Sequence, residues 1–107
     1  MKYQVVVEKP AKQEIDNAFY WGKEQWGARQ AQKWFNSLMK AIAKLETFPN
    51  RHPLAPESDE FQIEIRQIIF QRYRILFLVG DDTVNVLYLR QAYHDKDTAS
   101  EEDSQEE

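Results

Sequence analysis

The chain has 107 residues, 42% of them hydrophobic and 13% aromatic, with 14 Lys and Arg against 18 Asp and Glu and no cysteine. That length holds one modest core, and the apolar share excludes a chain disordered throughout. Without cysteine, a disulfide framework, a thiolate metal site and a thiol nucleophile are all excluded.

The charge is unevenly placed. The last ten residues, TASEEDSQEE, hold five acids and no base, so residues 1–97 carry 14 basic and 13 acidic side chains, a balance of +1. The expectation is one domain over 1–97 followed by an acidic disordered tail at 98–107. MKYQVVVEKP has a short apolar run ending in charge, which is not a signal-peptide core. No apolar stretch approaches the length of a bilayer span, so a cytoplasmic protein without membrane contact is expected.

Residues 3–8, YQVVVE, are short and β-branched and read as a first strand. Pro10 suits a first helical turn, where its missing N–H breaks no intrahelical bond. Ala11, Ile15, Ala18, Phe19, Gly22 and Trp26 then recur at helical spacing, and Gly27 is a natural terminator. A second amphipathic pattern runs over about residues 28–47, with Ala31, Trp34, Phe35, Leu38, Ile42 and Leu45 as its apolar stripe. Pro49 stops it. The short link between the two predicts an antiparallel helical hairpin, and Trp21, Trp26 and Trp34 read as core and hairpin packing.

Residues 50–60, with two prolines, read as a loop. Three strands are expected next, near 63–70, 73–79 and 84–89. Gly80-Asp81-Asp82-Thr83 suits the last hairpin, whereas Gln71-Arg72 offers no Gly or Asn for positive φ. The order is β-α-α-β-β-β: an α+β fold with an N-terminal helical hairpin packed on a small, mainly antiparallel sheet.

Chemistry concentrates late in the chain. Arg66, Arg72, Arg74 and Arg90 fall on or between the three strands, with Lys96 the only lysine nearby. Arginine supplies planar, bidentate contacts to anions, and phosphate is the obvious one. On residues 73–79, Arg74 shares a face with Leu76 and Leu78, which places its head near a strand end within reach of solvent. Tyr93 and His94 follow the last strand, and His suits proton transfer near neutral pH. RNA cleavage by its own 2′-hydroxyl needs such a proton carrier, together with cations at the developing phosphorane charge. Asp81-Asp82 reads as a turn, His52 and His94 lack ligand spacing, and the three glycines are isolated. No metal or other cofactor is expected.

Three stretches together carry a family resemblance: YQVVVEKPAKQEI, AQKWFNSLMKAIAKLETFPNRHPLAPES and EIRQIIFQRYRILFLVGDDTVNVLYLRQAYHD. Over roughly residues 3–97 the chain resembles the RelE/ParE superfamily of toxins from bacterial type II toxin–antitoxin pairs. The resemblance implies a compact toxin neutralised by a cognate antitoxin. It also implies one of two activities: metal-independent cleavage of mRNA on the ribosome, or poisoning of DNA gyrase by binding. An inactive, interaction-only member is the third possibility. Arg74 matches the arginine that RelE-like nucleases place on the scissile phosphate, and Tyr93 a functional aromatic near their C-terminus, with His94 beside it. Arg66 and Arg90 match positions commonly arginine across the superfamily, here read as substrate-binding. Gln91 and His94 depart from a common His and Arg, and residues 54–65 contain no Lys or Arg. The expectation drawn is an mRNA endonuclease toxin with Arg74, Tyr93 and His94 as catalytic residues, the gyrase poison being the alternative.

Overall fold

The computed structural model describes residues 2–92; Tyr93, His94 and the acidic tail lie outside the described residues. The elements are β1 (Gln4–Val7), α1 (Lys9–Trp26), α2 (Ala28–Ala43), α3 (Glu57–Phe61), β2 (Arg66–Phe70), β3 (Tyr73–Val79) and β4 (Thr83–Gln91). Two single turns of 3-10 helix, Lys44–Glu46 and Pro49–Arg51, lie between α2 and α3.

The four strands form one sheet in the order β1-β4-β3-β2. β1 runs parallel to β4, which the long α1–α2 crossover makes possible, and the other two pairings are antiparallel. The helices cover one face. Ala11 and Ile15 of α1, Trp34, Leu38 and Ile42 of α2, and Ile75, Phe77, Val84, Val86 and Leu89 of the sheet make the main core. Gly27, at φ 94°, links α1 to α2 in a single residue. Phe19 meets Phe35 edge-on and Gly22 faces Ala31, so the helices run antiparallel. A Cβ on Gly22 would stand 3.0 Å from the Trp26 ring, a tight contact that a larger residue could make only by shifting that ring.

The opposite face is covered differently. Ala55, Ile65 and Leu76 form a second buried cluster, flanked by Leu78, Leu87 and Tyr88. The segment after α2 is therefore more than a loop. The Ala55 N–H donates to the Ile65 carbonyl at 2.7 Å, and Ser58 Oγ accepts the Ile65 N–H at 2.8 Å. These bonds fold residues 53–65 back over the sheet and delay β2 to Arg66, three residues beyond its expected start.

Alternation fails at one place in β4. Leu76 pairs with Tyr88 and Phe77 with Val86, so Leu87 is an extra, bulged residue. Before it the even-numbered Val84 and Val86 face the helices; after it Leu89 does. The extra residue swaps the faces, as a period of two requires, and puts Tyr88 and Arg90 on the side of Arg74 and Leu76.

Two expectations need correction. The second helix ends as α-helix at Ala43, its last turn tightening to 3-10. Of the three tryptophans only Trp34 is core, at 7% exposure, while Trp21 and Trp26 stand 51% and 46% exposed and edge-stacked on each other.

Candidate functional site

Arg74 sits in β3 with its head inside the protein, 8% exposed. Its Nη1 donates to Glu57 Oε1 at 3.0 Å and to Gln67 Oε1 at 2.9 Å, and Nη2 donates to Glu57 Oε2 at 2.8 Å. This is the bidentate fork of an arginine on a carboxylate. Glu57 is held there by α3, and Gln67 by β2. The hydrogen bonding from Arg74 lowers the Glu57 carboxyl below its ordinary range, against an opposing effect of burial, with Arg90 contributing more weakly from nearby.

The arginine set predicted from the sequence divides. Arg74 and Arg90 are cross-strand partners on the face away from the helices. Arg90 is exposed, its guanidinium 4.6 Å from the centre of the Tyr88 ring. Arg66 shares strand parity with Ile68 and Phe70, which pack on the helix-side core. Its Nη1 donates to the His52 carbonyl at 2.6 Å, and Glu64 lies 3.7 Å from Nη2. Arg72 is exposed in the β2–β3 turn. Arg74 and Arg90 thus form one neighbourhood, while Arg66 belongs to another face. Tyr93 and His94 follow β4 and lie outside the described residues. Glu57 was not singled out from the sequence. Its signal was indirect: an arginine sharing a strand face with leucines needs a buried anion, and the preceding loop is acid-rich.

A second feature arises where β4 outruns β1. β1 pairs only with Thr83–Val86, so beyond Val86 that edge of β4 lacks a strand neighbour. The Leu89 N–H on this edge donates to Glu14 Oε1 of α1 at 2.7 Å. A side chain replaces the missing strand there. Around it lies a groove of about 780 Å³, framed by Ala18, Trp21, Trp26, Arg72 and Tyr73. Exposed tryptophans beside an open strand edge are the composition of a protein-binding surface. Burial raises the Tyr73 phenol above its ordinary range, with Arg72 opposing. Among the described residues no group of three His, Cys, Asp or Glu could hold a metal ion. No helix among them is long and apolar enough to cross a membrane.

A helical hairpin on one face of a short mixed sheet, with a buried Arg74–Glu57 pair on the other face and an aromatic groove at the open edge of β4, defines a small α+β protein. Residues 5–95 match the family described as the ParE toxin of type II toxin–antitoxin system, parDE, and the chain belongs to that family. Among solved structures it is similar to one titled the chromosomal ParDE TA system from P. aeruginosa. The TM-score is 0.69 at 12% identity, over 84% of this chain and 96% of that one, which is a likeness of fold. Among curated proteins none matches the sequence.

Proposed function

We propose that this toxin acts by binding DNA gyrase and that a cognate antitoxin neutralises it by covering the aromatic groove beside β4. The observation carrying this reading is the engagement of Arg74. A phosphate clamp must present its guanidinium to the substrate, and here Glu57 and Gln67 take both terminal nitrogens. An RNA phosphate would have to displace a carboxylate in bidentate contact, and so meet a negative charge in the place it needs. The position of Arg66 on the other face also argues against one convergent cleavage site. Membership of the ParE toxin family supports the binding reading too.

The alternative is mRNA cleavage on the ribosome, with Arg74, Tyr93 and His94 as catalytic groups and Arg66 and Arg90 on the substrate. One pair of assays separates the two. Purified chain added in excess to gyrase is expected to inhibit supercoiling, while primer extension on messages from a translation reaction shows no new ends. Undisturbed supercoiling together with cut messages would reverse the assignment.

A further inference from the structure

We propose that the solvent face of α2 binds the phosphate backbone of duplex DNA. Arg29, Lys33 and Lys40 fall within about 40° of one another around the helix axis, and all three are exposed. They stand opposite the buried stripe of Ala31, Trp34, Leu38 and Ile42, and exposed Lys44 extends the row in the 3-10 turn that follows. From Arg29 to Lys44 the row is about 22 Å long, at about 1.5 Å per residue. α2 contains no acid, whereas α1, of similar length, sets Lys9, Lys12 and Lys23 against Glu14, Asp16 and Glu24. Among the described residues none of the four cations in the row forms an ion pair.

A helix face that is only solvated mixes both signs, because an acid four residues from a base supports the helix. Here Arg29 with Lys33, and Lys40 with Lys44, are like charges at that spacing, and they repel. Arg29 also sits in the first turn of α2, where the helix dipole disfavours a cation and no acid offsets it. Both departures raise positive potential along one line, at a cost in helix stability that an anionic partner offsets. The neighbouring residues select that partner. Gln32 and Asn36, bonded to each other at 3.0 Å on the same exposed face, and exposed Ser37 are the neutral donors that accompany Lys and Arg at phosphates. No exposed large apolar side chain belongs to α2. The face therefore lacks both the anchor at the centre of a protein interface and the aromatic platform on which single-strand bases stack. A straight row of cations without either suits the fixed phosphates of a duplex, whose charge per unit length is twice that of one strand. This face is separate from Arg74 and from the groove beside β4, and the proposal does not depend on the gyrase reading.

The test is fluorescence anisotropy of a short labelled DNA duplex titrated with the full chain, from about 25 to 100 mM salt. The logarithm of affinity is expected to fall against the logarithm of salt with a slope of about −3, from the counterions that three or four phosphates release. Lys33→Gln with Lys40→Gln should make that slope shallower by about two and weaken binding at the lowest salt. Lys33→Arg with Lys40→Arg keeps both charges and should keep the slope. Arg90→Gln, on the face of the sheet away from the helices, should leave it unchanged. All these side chains are exposed, and surface substitutions of this kind barely alter stability. No duplex binding at the lowest salt, an unchanged slope in the double Gln variant, or an equal loss in Arg90→Gln overturns the proposal. So does single-stranded DNA or a glutamate-rich peptide that binds as tightly as the duplex, which would assign the row to a flexible strand or to an acidic protein. Gyrase is absent from the assay, so the result is read apart from the gyrase assignment.

Discussion

Arg74 shows how a single charged residue is tolerated in a core strand. It shares a strand face with Leu76 and Leu78, and its head is neutralised by Glu57 and bonded to Gln67. Breaking one side of such a pair leaves an uncompensated buried charge, so Arg74→Met is expected to destabilise by about 3–5 kcal/mol. Arg74→Met with Glu57→Leu should recover much of that loss, because a well-packed apolar pair is often as stable as an ion pair. Urea denaturation of the single and double variants measures the difference, and additive losses would show that the two residues are not coupled. Among the described residues, two groups with lowered values contribute to the pH response. His52 is lowered from 6.5, first by burial and then by Arg51 and Arg66, and Glu57 is lowered from 4.5, chiefly by its bonds from Arg74. In both cases the folded state binds its proton less readily than the unfolded chain. Stability from each group is therefore present above its ordinary value and is lost as pH falls from there through its lowered one. Thermal midpoints should begin to fall below pH 6.5 and fall again below 4.5. His52→Gln should abolish only the first decline.

At the scale of elements, turns were the least legible part of the chain. Gln71-Arg72 joins β2 to β3 in two residues although neither is Gly or Asn, and Gln71 takes φ 54° to do so. Strand register won over turn preference there: pairing Ile68 with Ile75 and Phe70 with Tyr73 sends the helix-side apolar residues to the core. Gln71→Gly should relieve the left-handed strain and raise stability by about 0.5 kcal/mol, the cost of αL less the extra chain entropy of glycine. A denaturation midpoint that does not rise would mean the turn is unstrained. Phe48, at φ 47° before Pro49, carries similar strain while 76% exposed. The β4 bulge is the other element-scale surprise. An alternation reading of residues 84–89 keeps one phase throughout, whereas the extra Leu87 reverses it and thereby sets Arg90 beside Arg74.

For the whole molecule, charge distribution matters more than net charge. Residues 1–97 carry +1, and the ten that follow add five acids. Like charges repel nucleic acid over a Debye length of about 10 Å at moderate salt. Removing residues 98–107 should raise affinity for single-stranded RNA or DNA at low salt, and the gain should vanish as salt rises. Equal low-salt affinity of the full and shortened chains would show that the tail has no such effect. The sheet order also ties the ends together, since the second strand neighbour of β4 is β1, from the start of the chain.

Apolar periodicity alone was enough for the α+β order, the helical hairpin and the main core. Helix and strand repeats are local, and Ala11, Ile15, Leu38, Ile42, Ile75 and Phe77 obey them. The arginines were visible by type but not by partner. Pairing between Glu57 and Arg74 joins residues 17 apart in the chain, and only the return of residues 53–65 over the sheet brings them together. The same holds for Arg66, which the pleat sends to the opposite face, and for Trp21 and Trp26, which stay exposed around the groove at the open edge of β4. Local chemistry wrote the elements; which charges meet, and which aromatics stay uncovered, was decided by how those elements pack.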